Sequence, residues 1–98
     1  MAKIIVWNRR ASNNFNSIIN YLQAEWGDTV TRNFVVRTYK VIELLAVNPE
    51  MGSIEHFEKQ IRGIVITKHN TLFYRLEEEK LILLNFFDNR QDPKKKSY

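Results

Sequence analysis

Cationic side chains that could bind phosphate are concentrated in the second half of the chain. They are the arginines Arg62, Arg75 and Arg90 and the consecutive lysines Lys94, Lys95 and Lys96. A guanidinium pairs bidentately with phosphate, and a lysine supplies a point charge beside it. Residues 89–98 hold four cations against one anion, a net charge of +3 within a chain of +4. We expect a polyanionic or acidic partner.

Two plainer interpretations of these cations stay open. The lysine run could be a solvated chain end that keeps a small protein in solution. Each arginine could form a surface salt bridge with one of the nearby acidic residues, which are Glu77, Glu78 and Asp88. Surface salt bridges contribute little to stability, so neither interpretation assigns these residues a function.

Metal-independent cleavage of RNA is a reaction that such cations could support. The 2′-hydroxyl attacks its own phosphate, a base accepts the proton, and cations stabilise the charge on the phosphate oxygens. Other reaction classes have no support, because the chain lacks cysteine and a glycine-rich phosphate loop, and His56 and His69 lack metal-ligand spacing. We therefore expect neither a metal nor another cofactor.

The first half of the chain predicts a short strand at Lys3–Trp7 and then two helices. The first helix, Arg9–Trp26, is capped by Asn8, ended by Gly27, and apolar at the 3.6-residue period. Its apolar stripe is Ala11, Phe15, Ile18, Ile19, Leu22 and Trp26. The second helix runs from Thr29 to about Val47, with Asp28 as its N-cap. Its predicted stripe is Val30, Phe34, Thr38, Val41, Leu44 and Leu45.

The second half predicts a loop followed by three strands. The loop covers Pro49–Lys59, and the strands are Ile61–Thr67, Leu72–Glu77 and Leu81–Asp88. The two turns between the strands are short, which predicts antiparallel neighbours. On the middle strand, Leu72, Tyr74 and Leu76 share one face of the sheet, and the residues between them share the other. The last strand is apolar on both faces except at Asn85, so we expect it to lie inside the sheet.

These elements predict an α+β fold of order β-α-α-β-β-β in a single domain, residues 1–98. The helical hairpin packs on one face of a mainly antiparallel sheet. The other face would be partly open, and we expect the three arginines to cluster there or at the strand ends. No apolar run approaches the length of a membrane span, so we expect a soluble cytoplasmic protein that does not enter a membrane.

Short motifs in this order resemble the RelE/ParE superfamily of bacterial type II toxins. They are Trp7, Ile18 with Tyr21-Leu22, Asn48-Pro49 with Gly52, Ile61-Arg62, Phe73-Tyr74-Arg75, and Phe87-Asp88-Asn89-Arg90-Gln91-Asp92-Pro93. Each motif is short, but the ordered set spans nearly the whole chain. The resemblance implies a growth-inhibiting toxin with a cognate antitoxin that wraps an extended, partly disordered segment over it.

The resemblance implies two targets: we expect ribosome-dependent cleavage of mRNA, and inhibition of DNA gyrase is the alternative. RelE-like members cut mRNA on the ribosome, in which case Arg62 and Arg90 would stabilise the phosphate or transition state, and Glu58 or Lys59 would accept the proton. Arg75, Lys94, Lys95 and Lys96 would then bind the nucleic acid. ParE-like members poison DNA gyrase and need no nuclease residues. Ribonuclease members often carry a histidine or tyrosine near the end of the site, and no histidine follows Asp88. An inactive or repurposed binding module is the third interpretation.

Overall fold

The computed structural model describes residues 2–98. In chain order the elements are β1 (Ile4–Trp7), α1 (Arg9–Trp26), α2 (Asp28–Val47), β2 (Ser53–His56), β3 (Ile61–Thr67), β4 (Asn70–Glu77), β5 (Lys80–Asp88) and a short 3₁₀ turn (Pro93–Lys95). The predicted α+β fold, with a helical hairpin against a mainly antiparallel sheet, is confirmed. No helix between residues 2 and 98 is long and apolar enough to cross a bilayer.

The five strands form one sheet in the order β1-β5-β4-β3-β2. Strands β2 to β5 pair antiparallel, and β1 pairs parallel with β5. The last strand therefore lies inside the sheet, as predicted. A bulge interrupts the β4–β5 pairing, because Phe73 pairs with Asn85 while Tyr74 pairs with Leu83, which leaves Leu84 as an extra residue.

Strand β2 was not predicted, because the sequence was interpreted as a loop from Pro49 to Lys59. The strand has only four residues and lies at the edge of the sheet. Its pairing with β3 is irregular, with Ser53 opposite Gly63 and Ile54 opposite Arg62. A strand this short carries no clear alternation of apolar and polar residues, and its pairing depends on contacts distant in sequence.

The N-cap predicted from the sequence is right for α1 and wrong for α2. The Asn8 side chain accepts a hydrogen bond from the Ala11 amide at 2.7 Å, which confirms the predicted N-cap. Gly27 ends α1 with φ +83° and is itself the N-cap of α2. The prediction of Asp28 as that cap is wrong, because Asp28 is already helical and its carboxylate accepts a hydrogen bond from the side chain of Gln23.

The core lies between the hairpin and the sheet. Phe15 and Phe34 on the helices pack with Phe86 of β5, with ring centroids 5.7 Å apart for the helix pair and 5.3 Å apart for Phe15 and Phe86. The prediction is wrong at three positions of the helix stripes, because Trp26, Val30 and Leu44 are exposed. The buried face of α2 is turned by about one position and consists of Thr31, Phe34, Thr38, Ile42, Leu45 and Ala46.

The opposite face of the sheet carries a second, smaller apolar cluster, made of Ile61, Phe73, Leu84 and Phe87 with Ile82 beside it. On β4, Leu72, Tyr74 and Leu76 belong to the helix side and Phe73 belongs to this second face. The predicted division of the middle strand between two faces is therefore confirmed.

Candidate functional site

Arg62 lies on β3, and its guanidinium contacts backbone carbonyls of the segment before β2. Its Nη1 donates to the carbonyl oxygen of Gly52 at 2.8 Å and to that of Glu50 at 3.3 Å. A charged donor satisfies carbonyl oxygens that no strand partner reaches. Arg62, for which the family resemblance implies phosphate binding, thus holds the turn that leads into β2.

Tyr74 on β4 is hydrogen-bonded to the same turn. Its hydroxyl donates to the carbonyl of Pro49 at 2.8 Å and accepts from the amide of Gly52 at 2.9 Å. Burial raises the pKa of Tyr74, although the Gly52 hydrogen bond and the charge of Arg62 act in the opposite direction. We call the four residues Gly52, Arg62, Tyr74 and Pro49 the turn clasp, since together they fix the backbone between α2 and β2.

Arg90 lies just beyond the end of β5 and is paired with Asp88. Its Nε and Nη2 donate to the two carboxylate oxygens at 3.0 and 2.8 Å, and its backbone amide donates to Oδ1 at 2.9 Å. The hydrogen bond from Arg90 holds the pKa of Asp88 below its usual range, and the carboxylate raises the pKa of Arg90. The Arg90 side chain remains more than half exposed, so a ligand can reach it.

Arg62 and Arg90 lie at opposite ends of the sheet. Asp88 on β5 pairs with Asn70 on β4, and Asn70 pairs with Thr67 on β3. Thr67 lies five residues along β3 from Arg62. At about 3.3 Å per residue this is roughly 16 Å along the strand, and β3 and β5 are a further two strand spacings, about 10 Å, apart. Arg62 is held on the Gly52 and Glu50 carbonyls and Arg90 on Asp88, so in this arrangement the two guanidinium groups do not converge on one phosphodiester.

Arg75 is separated from Arg62 by the sheet itself. It follows Tyr74 on β4, so its side chain lies on the face opposite the hairpin. Its Nη2 pairs with the Glu77 carboxylate at 2.9 Å, and its Nε is buried without a hydrogen-bond partner among residues 2–98. The predicted clustering of the three arginines is wrong, because the register distributes them over two faces and both ends of the sheet.

The remaining predicted residues lie in two further places. Glu58 and Lys59 are exposed in the turn between β2 and β3, where the Lys59 amide donates to His56 Nδ1 at 3.3 Å. Lys96 pairs with the Glu55 carboxylate at 3.1 Å. The other two lysines, Lys94 and Lys95, are exposed in the 3₁₀ turn.

A groove of about 780 Å³ lies between α1 and the end of β5, and Arg90 is on its wall. The structure brings to it several polar residues that the sequence interpretation did not select as site residues, namely Arg10, Asn14, Tyr21 and His69, beside the predicted Lys95. Asn85, the polar position of β5, accepts a hydrogen bond from Asn14 at the groove floor. The signal that could have found this α1 groove is the helically spaced stripe of α1 that lines it, made of Arg10, Asn14, Ser17 and Tyr21.

Clusters suited to metal binding are absent from the part of the chain that the structure describes. Among residues 2–98 no group of three or more histidine, aspartate and glutamate side chains lies close enough together to hold a metal ion.

The fold, a helical hairpin on a mixed five-stranded sheet, is shared with solved toxin structures. Residues 5–93 match the model of the family described as the ParE toxin of type II toxin-antitoxin systems, parDE. The chain belongs to this family, and membership of such a two-component system implies a cognate antitoxin.

Solved structures share the fold at low sequence identity. The chromosomal ParDE system from P. aeruginosa matches with a TM-score of 0.74 at 14% identity, over 89% of this chain and 96% of that one. The YoeB/ParE toxin from Agrobacterium tumefaciens matches at 0.63 and 13%, over 88% and 98%. A copper-bound mutant toxin from Helicobacter pylori matches at 0.61 and 18%, over 92% and 97%. At these identities the likeness concerns the fold alone. No curated protein matches the sequence.

Proposed function

We propose that this ParE-family toxin inhibits growth by binding DNA gyrase and does not cut RNA. The observation that carries the proposal is the turn clasp, because the arginine a nuclease would need, Arg62, donates to two backbone carbonyls instead. Nη1 is committed to those carbonyls, so a phosphate could bind through Nη2 and Nε, and turning the whole guanidinium toward a ligand would leave the carbonyls without their donor, at a cost of about 1–3 kcal/mol. The second cation, Arg90, is paired with Asp88 at the other end of the sheet.

A toxin that acts by binding needs an apolar surface for its protein partners, and the tip of the hairpin offers one. Trp26 is 66% exposed at the end of α1, with Tyr21 one turn earlier and Val30 on the start of α2. Exposed aromatic side chains of this kind dominate the free energy of protein–protein contacts. We assign this hairpin tip, Tyr21, Trp26 and Val30, as the candidate surface for gyrase.

The net charge supports the second expected partner, the antitoxin. A chain of charge +4 with its cations near the end of β5 attracts an acidic segment and speeds its association. An extended antitoxin segment that orders on binding could cover the α1 groove, whose lining includes the hairpin tip. Neutralisation then consists of occupying the surface that gyrase would use.

The test is to induce the toxin in cells, then measure plasmid supercoiling and map RNA 5′ ends in the same culture. We expect loss of supercoiling without new RNA ends, and Trp26→Ala is expected to restore both supercoiling and growth. Glu25→Gln is the matched control, because Glu25 is its exposed neighbour on the helix and lies outside the hairpin tip. New 5′ ends with normal supercoiling would refute the gyrase proposal.

A second candidate function, ribosome-dependent cleavage of mRNA, is favoured by one observation in the α1 groove. His69 and Tyr21 line the same groove as Arg90 and Lys95, so a proton-transfer group and phosphate-binding cations lie around one cavity. Imidazole is the side chain most often used for such proton transfer. In this candidate His69 replaces the histidine that is missing after Asp88.

Variants distinguish RNA cleavage in the α1 groove from cleavage by the catalytic residues that the family resemblance implies. If the α1 groove cuts RNA, His69→Ala and Arg90→Ala abolish new 5′ ends while Glu58→Gln and Lys59→Ala leave them unchanged. If Glu58 or Lys59 accepts the proton beside Arg62, the pattern is reversed. The same 5′-end mapping, in the presence of ribosomes, measures both.

A further inference from the structure

The last residues of the chain fold back over the sheet face that the hairpin leaves uncovered. Phe73, in the middle of that face, has no exposed surface, although no helix packs there. The Tyr98 ring meets it edge to face, with centroids 4.9 Å apart and planes at 79°. The Lys96 ammonium lies 6.0 Å from the centre of the same ring. The chain end is therefore what covers Phe73 on this face.

One carboxylate on β2 receives both side chains of this segment. Glu55 Oε1 accepts from Lys96 Nζ at 3.1 Å and from the Tyr98 hydroxyl at 3.3 Å. Residues 96 and 98 are two apart, so in an extended backbone their side chains share a face, and this spacing lets both reach Glu55. Burial, and after it the Glu55 charge, raises the pKa of Tyr98. The pair of contacts recognises a cation and an aromatic hydroxyl at a fixed separation.

Two further side chains hold the backbone of the segment. Asn85 Nδ2 donates to the carbonyl of Ser97 at 2.8 Å. Arg10 Nη1 donates to the carbonyl of Tyr98 at 3.1 Å, and its Nη2 contacts the Ser97 hydroxyl. Together with Glu55 and Phe73, these donors form a site with separate positions for backbone, cation and ring. Peptide-recognition sites have the same arrangement: hydrogen bonds to the main chain of the peptide supply affinity, and pockets for its side chains supply specificity.

Gly63 explains why the ring of Phe73 can form the floor of this site. A Cβ on Gly63 would come within 3.1 Å of Phe73 Cδ1 and 3.3 Å of the Glu55 side chain. The absence of a side chain there lets the aromatic ring of β4 and the carboxylate of β2 approach each other over β3, the strand between them.

From this geometry we propose that the uncovered sheet face carries a peptide-binding site for a lysine-x-tyrosine segment, which residues Lys96–Tyr98 occupy as an intramolecular ligand. The site consists of Glu55, Phe73, Asn85 and Arg10. A tethered ligand profits from an effective concentration of about millimolar, so the segment stays bound while individual contacts exchange. When it leaves, the site and the apolar cluster become available to a lysine-x-tyrosine segment of another chain.

The test uses the full chain labelled with ¹⁵N. Tyr98→Ala should release the segment, so that the heteronuclear NOE of amides 95–98 falls to values typical of a mobile end and the amides of Gly63 and Phe73 shift. Glu55→Gln should do the same to a smaller extent. Gln91→Ala is the matched control, since it lies in the same stretch without a side-chain contact to the site, and it should change neither signal.

A synthetic peptide of the sequence DPKKKSY is then titrated into the Tyr98→Ala protein up to millimolar concentration. We expect it to return the Gly63 and Phe73 amides to their original positions, and the peptide ending in alanine to bind about tenfold more weakly, as loss of an anchoring ring predicts. A wild-type chain end as mobile as that of Tyr98→Ala would overturn the proposal. Equal binding of the two peptides, or no shift at Gly63 and Phe73, would also overturn it.

Discussion

Replacing Tyr74 with phenylalanine tests the turn clasp at its centre. The substitution keeps the ring in the core and removes only the hydroxyl, which donates to Pro49 and accepts from Gly52. Each lost hydrogen bond is worth about 1 kcal/mol, and a buried donor or acceptor left without a partner costs about 1–3 kcal/mol. Pro49 is only partly buried, so we expect a total loss of about 2 kcal/mol. For a domain of this size that lowers the melting temperature by roughly 8–16 °C.

The assay is urea unfolding followed by circular dichroism, with thermal melting as a second measurement. Tyr39→Phe is the matched control, because the Tyr39 side chain is about half exposed, and it should change the free energy of unfolding by less than about 0.5 kcal/mol. If Tyr74→Phe is as stable as the wild type, the hydroxyl does not hold the turn and the reasoning fails.

Alkaline pH gives an independent check on the same hydroxyl. Burial raises the pKa of Tyr74 in the folded state, so folding favours the neutral phenol. The resulting contribution is complete below the unfolded pKa of about 10 and is lost as the pH rises through the folded pKa. The wild type should therefore lose stability above about pH 10 more steeply than Tyr74→Phe. Parallel pH profiles of the two proteins would contradict this.

Three more changes test neighbouring parts of the account. Gly52→Ala places a Cβ 2.5 Å from the Tyr74 hydroxyl and should cost about 3 kcal/mol in urea unfolding; a loss under about 1 kcal/mol would show that the turn relaxes freely. Arg62→Ala should lower stability by about 1–2 kcal/mol, whereas a cation kept only for a ligand would leave it unchanged or raise it. Arg90 lowers the pKa of Asp88, so the stabilisation is present above about pH 4 and lost as the pH falls below it. Asp88→Asn should flatten that acid dependence, and an unchanged acid profile would mean that the pair contributes nothing to stability.

The local signals in the sequence predicted most of the architecture. The Asn8 cap, the Gly27 helix end and the division of Leu72 and Phe73 between two faces all depend on neighbouring residues or on a fixed period. The orientation of α2 was less accurate, because apolar residues surround much of that helix and Leu44 fits the 3.6-residue period as well as the buried Ile42. Where two faces are both apolar, the period does not select the core side.

The site was harder to predict, because its contacts join residues far apart in the chain. The sequence indicates only that Arg62 is a cation on a strand. Its hydrogen bond to the carbonyl of Gly52 depends on how the turn before β2 packs against β3. In the sequence the lysine run resembles a solvated chain end. The structure shows that the last part of the run and the residues after it are bound, through contacts such as Tyr98–Phe73 and Lys96–Glu55. His69 and Arg90 meet in one groove because the end of β5 lies beside the start of β4. No local pattern encodes these pairings.

The most direct test of the proposed function is a supercoiling reaction with purified gyrase, relaxed plasmid, ATP and the purified toxin. Gyrase poisoning predicts that the wild-type toxin and the Glu25→Gln control prevent supercoiling, that Trp26→Ala does not, and that ribosome-bound mRNA incubated with the same toxin stays intact. Full supercoiling at an excess of wild-type toxin, together with cleavage of the mRNA, would contradict the proposal and assign the activity to the α1 groove or to the residues around Arg62.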